Sequence, residues 1–181
     1  MGSPTDEELM ERFCRGDRPA FDALFERYGS PVHGFLVRMV HEPALAEDLL
    51  QMTWLSVVRS RDRFERGMAF RPWLMTIAGN AARDALRKGR YARALARDHG
   101  AAQPESFTPV HSDPGMRKRI DAALEAVPAQ YREVVILHKV EGWSFEEIST
   151  ALEITSTAAR IRAHRGYQLL RELLGDLEGV S

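Results

Sequence analysis

Two amphipathic helical patterns joined by a short turn occupy residues 127–174, and the second carries Arg160, Arg162, His164, Arg165 and Arg171 with no acid among them before Glu172. No other feature narrows the fold as far, because helix, tight turn and basic second helix pack together as a helix-turn-helix. Gly142 is a natural left-handed exit, Ser144 an N-cap, and Glu147 completes an S-x-x-E capping box, so a helix starts near Phe145. Trp143 and Ile148 fit the hydrophobic staple that accompanies such a box. The helix is predicted to end near Leu152, since Glu153-Ile154-Thr155-Ser156-Thr157 is rich in β-branched and hydroxyl residues that favour a turn and a fresh cap. At about 100° per residue, the next helix gathers Arg160, Ile161, His164 and Arg165 on one side and Ala159, Ala163, Gly166 and Leu170 on another. The first side suits a DNA groove and the second suits packing, with a merely solvated row of arginines as the competing reading.

Composition limits how such a chain could hold DNA. It has 181 residues, 44% hydrophobic and 28% charged, which suits one globular domain or two small ones. Its formal net charge of -1 excludes coating nucleic acid by global charge, so affinity must come from local basic patches or from a partner. No apolar run reaches the roughly 18 residues of a membrane span, and Met1 to Glu8 is polar and acidic, unlike a signal peptide. A cytoplasmic protein without membrane insertion is expected. Cys14 is the single cysteine, which excludes an internal disulfide, and beside Phe13 it reads as a buried thiol.

The N-terminal half reads as all helical. Thr5 to Glu8 is a capping box leading into Leu9, Met10 and Phe13, and Gly16 ends that helix. Asp17 is predicted to cap a second helix with Phe21, Leu24, Phe25 and Tyr28 on one stripe, and a third is expected around residues 32–40. Pro43 precedes a longer helix with Ala46, Leu49, Leu50, Thr53, Trp54, Val57 and Val58 inward and Glu47, Asp48 and Gln51 outward. A last helix, roughly residues 70–88, is expected to bury Trp73, Leu74, Ile77, Ala81 and Ala85.

That last helix has an informative back. Asn80, Arg83, Asp84 and Arg87 form a polar, largely cationic stripe. Before it, residues 61–70 interleave arginines with Phe64 and Phe70. Rings and guanidinium planes stack on unpaired bases, so the mixture suits an opened strand, although the two phenylalanines could instead plug the core beneath the loop. Between Lys88 and Arg117 the apolar period fades into proline-, serine- and glycine-containing chain, read as a flexible linker.

Taken in order, residues 17–28, Ala46 to Gln51, Phe70 to Leu74, Ile77 to Asn80 and Asp84 to Arg87 resemble region 2 of bacterial RNA polymerase sigma factors of the extracytoplasmic-function group. After the linker, Leu124 to Pro128, Arg132 to Val134, Glu141 to Ile148 and Arg160 to Arg165 resemble that group's region 4. The resemblance implies an all-α fold of two small helical domains, residues 1–93 and 117–177, joined by a linker over 94–116. It implies that Glu47, Asp48 and Gln51 dock on core RNA polymerase. It further implies that the Phe64 to Phe70 loop with Asn80, Arg83 and Arg87 captures the melted downstream promoter element, and that Arg160, Ile161, His164 and Arg165 read the upstream duplex. An anti-sigma partner is also implied. Three departures stand out: Ala159 and Ala163 where bulkier aliphatics are usual, Gly166 inside a helix, and Gly79 beside the asparagine where a basic residue is common. Ile161 replaces a small polar residue at a groove-facing place.

Enzymatic readings find no support. The six histidines show no metal-ligand spacing, one cysteine cannot build a zinc cage, and no nucleophile-elbow, phosphate-loop or dinucleotide glycine pattern occurs. No cofactor is expected. Glu47 and Asp48 diverge by about 100° on a helix, which suits docking better than acid-base work. Two alternatives remain at this level: a stand-alone dimeric helix-turn-helix regulator, and a helical protein with no nucleic-acid role.

Overall fold

A computed structural model describes residues 3–65, 67–97 and 114–176. Among them the chain is helical throughout, with no strand. Helices α1 (Asp6–Cys14), α2 (Arg18–Val40), α3 (Pro43–Ser60) and α4 (Phe70–Arg97) form the N-terminal body. Helices α5 (Pro114–Ala126), α6 (Ala129–Val135), α7 (Phe145–Ala151) and α8 (Ser156–Asp176) form the C-terminal one, with a π-helical turn, Ile136–Val140, after α6. The expected linker falls mostly on residues outside those described, although α4 itself continues to Arg97.

The helix starts follow their caps. Thr5 accepts from the Glu8 amide at 3.2 Å while the Glu8 carboxylate accepts from the Thr5 amide at 2.8 Å, completing the box at α1. Gly16 leaves α1 with φ +94°. Asp17 occupies the N-cap of α2 without making a cap hydrogen bond; its carboxylate accepts from Arg12 Nε at 2.7 Å instead. Pro19 in the first turn removes one amide that a capping carboxylate would use, and a charged donor supplies a stronger bond.

The expected second and third helices are one. Helix α2 runs unbroken through Pro31, because Leu24, Val32, Phe35, Leu36 and Met39 lie along a single buried face while Pro31 points outward. Continuous burial outweighs the one backbone hydrogen bond that proline forfeits. The buried stripe of α4 is also displaced from expectation: Phe70, Leu74, Met75, Ala78 and Ala82 are fully covered, while Trp73, Ile77, Ala81 and Ala85 are only partly so. Val58 of α3 is exposed rather than inward.

The cause of the shift on α4 is that this helix is covered on two sides. One continuous apolar core runs from Leu9 and Phe13 through Phe70 and Leu74 to Trp143, Ile148, Ala159 and Ala163, so the two bodies share it. Helix α6 sits between α4 and α8. A Cβ at Gly166 of α8 would lie 2.5 Å from Val135 Cγ2 and 3.2 Å from the Tyr131 carbonyl; a Cβ at Gly79 of α4 would overlap the Glu133 carboxylate. Gly166 therefore permits a close approach of α8 to the α6 backbone that a side chain would prevent, and Gly79 leaves the space that the end of the Glu133 side chain takes. Buried Arg132 donates to the carbonyls of Leu124 and Glu125 at 3.3 Å, supplying partners at the C-terminal end of α5.

Two consequences are measurable. Gly166→Ala should lower stability by about 1–3 kcal/mol through overpacking, despite alanine's helix preference of roughly 1 kcal/mol. Gly175→Ala, with nothing within 4 Å of the added carbon, should be neutral or stabilising in the same denaturation experiment. His41, which ends α2 with φ +56°, has its pKa pushed down to about 4 by burial and by the charge of Arg132. A lowered folded-state pKa means the unfolded chain binds the proton first. Stability is thus full above the ordinary value of 6.5 and falls as pH drops towards about 4. His41→Asn, which tolerates left-handed backbone, should flatten that part of a stability-pH curve.

Candidate nucleic-acid interface

The turn between α7 and its predecessor is built as its residues require. Gly142 takes φ +71°, Ser144 Oγ accepts from the Glu147 amide at 3.2 Å, and the Glu147 carboxylate accepts from the Ser144 amide at 2.8 Å. Trp143 and Ile148 are buried on either side of the cap, and His138 stacks on Phe145 with ring centres 4.4 Å apart. Helix α7 ends at Ala151, Glu153 turns the chain with φ +52°, and Thr155 Oγ1 accepts from the Ala158 amide at 3.1 Å to open α8. Each step follows from short polar side chains satisfying amides that a helix leaves unpaired.

Helix α8 then divides as its rotation demands. Ala159, Ala163 and Gly166 are buried, whereas Arg160, Ile161, His164 and Arg165 are exposed together. Gly166 lets α8 come close to α6, which is the physical reason for the departure there, and Ala159 and Ala163 are buried on the same side. Three further residues, unmarked by periodicity, hold the exposed arginines. Arg160 lies 3.3 Å from the Glu146 carboxylate and over the Phe145 ring at 5.5 Å, while Arg165 donates to the Tyr131 hydroxyl at 3.2 Å. Its own backbone amide, the Ser156 hydroxyl and Arg160 hold Glu146 below the usual carboxylate range. These partners come from α6 and α7, so only the folded turn brings them together.

On the N-terminal body the expected site residues separate. Phe70 has no exposed surface; its ring packs against Tyr28, Phe64 and Trp73, with centres 5.5, 6.2 and 6.1 Å away. It is a core residue, correcting the expectation that it stacks on a base: the start of α4 turns it inward, with its amide donating to Glu7 at 3.1 Å. Phe64 is half-buried at the edge of the same cluster. Asn80 and Arg87 are exposed, Arg87 beside Asp84 at 3.0 Å. Arg83 is turned away, its Nη1 donating to both oxygens of Glu133 at 2.5 and 2.6 Å and its Nη2 to Asn80 Oδ1. On α3, Glu47, Asp48 and Gln51 are exposed as expected. They continue into Met52 and Leu55, 56% and 53% exposed. Leu55 lies seven residues after Asp48 and Met52 four, the helical spacing that would have found them.

Residues 24–92 match the family model for sigma-70 region 2, and residues 117–170 match the model for sigma-70 region 4. The chain is 57% identical over 169 residues to RNA polymerase sigma factor CarQ of Myxococcus xanthus, covering 93% of this chain and 97% of that one. The chain belongs to the extracytoplasmic-function group of sigma-70 family sigma factors. It is also 32% identical over 160 residues to the ECF RNA polymerase sigma factor SigE of Mycolicibacterium smegmatis, covering 86% of this chain and 62% of that protein. Two solved structures share the fold at 24% identity. CnrH, in complex with the cytosolic domain of CnrY, aligns with a TM-score of 0.74 over 97% of this chain and 99% of that one. RpoE of Bartonella quintana, in complex with the anti-sigma factor NepR, aligns with a TM-score of 0.73 over 86% and 96%.

Two sigma regions in order along one chain do not favour the stand-alone dimeric regulator. No helix among the described residues is long and apolar enough to cross a membrane. In this sigma factor Ile161 is 51% exposed between Arg160 and Arg165, so an apolar side chain stands on the basic side of α8. Glu146 is a built-in counterion for that face. Glu146→Gln should free Arg160 for a phosphate, raising duplex affinity at low salt and steepening the log-log salt dependence by about 0.9, measurable by fluorescence anisotropy.

Proposed function

We propose that this sigma factor docks on core RNA polymerase through the exposed face of α3 and uses its two bodies for the two promoter elements. Glu47, Asp48 and Gln51 supply the polar part of the docking face, and Met52 and Leu55 an apolar part. Mixed faces of this kind, with accessible aliphatic groups beside charges, are what protein interfaces bury. Asn80, Arg83 and Arg87, with the edge of Phe64, form the surface for the extruded downstream strand; Phe70 supports that loop from beneath. Arg160, Ile161, His164 and Arg165 enter the upstream major groove, where an arginine reads guanine through paired bonds and an isoleucine meets a thymine methyl. Residues 1–93 and 117–177 are the two working units and 94–116 the tether between them.

The observation that carries this reading is the joint exposure of Arg160, Ile161, His164 and Arg165 on a helix whose other side is closed by Ala159, Ala163 and Gly166. A chain with net charge -1 lacks the general attraction to DNA that the task needs, which the polymerase supplies. The protein works in the cytoplasm, as an initiation factor without catalysis of its own. An anti-sigma factor restrains it, as the named partner of the Bartonella quintana relative is one.

Transcription in vitro with core polymerase on a genomic promoter library tests the assignments. Arg165→Ala should relax upstream-element preference by about 1–3 kcal/mol at one base pair. Asn80→Ala should change downstream-element selectivity while leaving core binding intact. Activity and selectivity unchanged in both variants would remove these residues from the promoter-reading surface.

A further inference from the structure

Arg165 is constrained at both ends by one residue of α6. At its root, the neighbouring Gly166 seats α8 on the first turn of that helix: a Cβ there would lie 3.2 Å from the Tyr131 carbonyl oxygen and 3.5 Å from the Tyr131 Cβ. At its tip, Nη1 donates to the hydroxyl of the same Tyr131 at 3.2 Å. Tyr131 is itself fixed. Its amide donates to the Pro128 carbonyl at 2.9 Å, and the next residue, buried Arg132, donates to the carbonyls of Leu124 and Glu125. A tyrosine side chain has few torsions, so a seated backbone leaves its hydroxyl little room to move. The Arg165 hydrogen bond is also the main reason that this hydroxyl lies below the usual phenol range, as befits an oxygen that accepts from a cation.

We propose that Tyr131 is a positioning residue for promoter selectivity, setting the plane of the Arg165 guanidinium so that one base pair of the upstream element is read. This rests on the assignment of Arg165 to the upstream major groove. A guanine accepts a parallel pair of N–H groups at O6 and N7, and that pairing demands an oriented fork. Holding Nη1 sets the plane of the fork, and with it the direction in which Nε and Nη2 present their own N–H groups. An unanchored arginine loses its torsional freedom only on binding, at a cost to affinity for the right base. Tyr131 removes part of that loss beforehand.

The companion arginine is held by different chemistry. Arg160 lies 3.3 Å from the Glu146 carboxylate, which opposes its charge, whereas Arg165 meets a hydroxyl, which engages one nitrogen and leaves the charge in place. Glu146 therefore competes with a phosphate for Arg160, while Tyr131 steadies Arg165 without competing for its whole fork. The two pairs are separable by experiment. Loss of the Glu146 charge alters how strongly duplex is held, and loss of the Tyr131 hydroxyl alters which sequence is preferred.

The test uses the full chain with core polymerase, transcribing a library in which each position of a responsive upstream element is varied in turn. Arg165→Ala first marks the base pair that Arg165 reads. Tyr131→Phe keeps the ring and removes the acceptor, and thermal unfolding reports that the variant is folded. It should lower preference at that same base pair by about fivefold, the factor that one hydrogen bond carries. Every other upstream position should stay within about twofold, and Tyr131→Phe should have no further effect on selectivity in the Arg165→Ala background. A Tyr131→Phe variant that weakens preference evenly along the element, or lowers output with preference intact, shows a packing residue and overturns the positioning role. So does one with the selectivity of the natural chain. In each of those cases a change at one base pair in Arg165→Ala keeps the upstream assignment, whereas no change in Arg165→Ala removes that assignment and the positioning role together.

Discussion

The arrangement of the whole molecule depends on how closely a seven-residue helix can be approached from both sides. Helix α6 is too short to be stable by itself, since isolated helices of that length are marginal in water. It is held by burial, with Arg132, Glu133, Val134 and Val135 all covered. Gly166 on one flank removes a Cβ that would hold α8 off, and Gly79 on the other leaves space for the end of the Glu133 side chain. Interiors are packed to crystal-like density, so an approach of this kind either has room built for it or does not form. Because α6 also carries Tyr131 and Glu133, its seat governs Arg165 on one helix and Arg83 on another.

Two acidic residues of α1 brace the aromatic cluster at the start of α4. Asp6 takes both the Tyr28 hydroxyl and Arg27, the latter at 2.8 Å, and Glu7 accepts the Phe70 amide. Phe70 is thereby drawn under Phe64 and beside Trp73, giving the loop an aromatic floor. Edge-to-face ring pairs add specific geometry to the apolar area they bury. What remains at the surface is the edge of Phe64 and the polar row on α4. The exposed patch at the start of α4 is thus narrower than a count of aromatics and arginines implies.

Charge on α8 is similarly restrained. The pairs Arg160 with Glu146 and Arg165 with Tyr131 are exposed, so each contributes little to stability. They do limit where the two guanidinium groups wander on the surface of α8. The face is therefore less freely cationic than its arginines alone suggest, in a chain whose charges sum to -1.

Local chemistry was legible along the chain: the capping boxes at Thr5 and Ser144, the left-handed exits at Gly16 and Gly142, the fresh cap at Thr155, and the division of α8 into a small inner row and an exposed basic one. These depend on residues within one or two turns of each other, and the order of such signals carried the family resemblance as well. The joining of two expected helices through Pro31 was not legible, because it depends on burial that distant residues provide. Nor were the inward turn of Phe70, the displaced stripe of α4, or the capture of Arg83 by Glu133 fifty positions away. Periodicity tells which side of a helix is apolar; it cannot tell that a helix will be covered twice. Sequence alone therefore determined the helices and which of their faces are polar, and tertiary structure decided which of those polar groups find partners inside the molecule, because only packing brings a carboxylate from one body onto a guanidinium of the other.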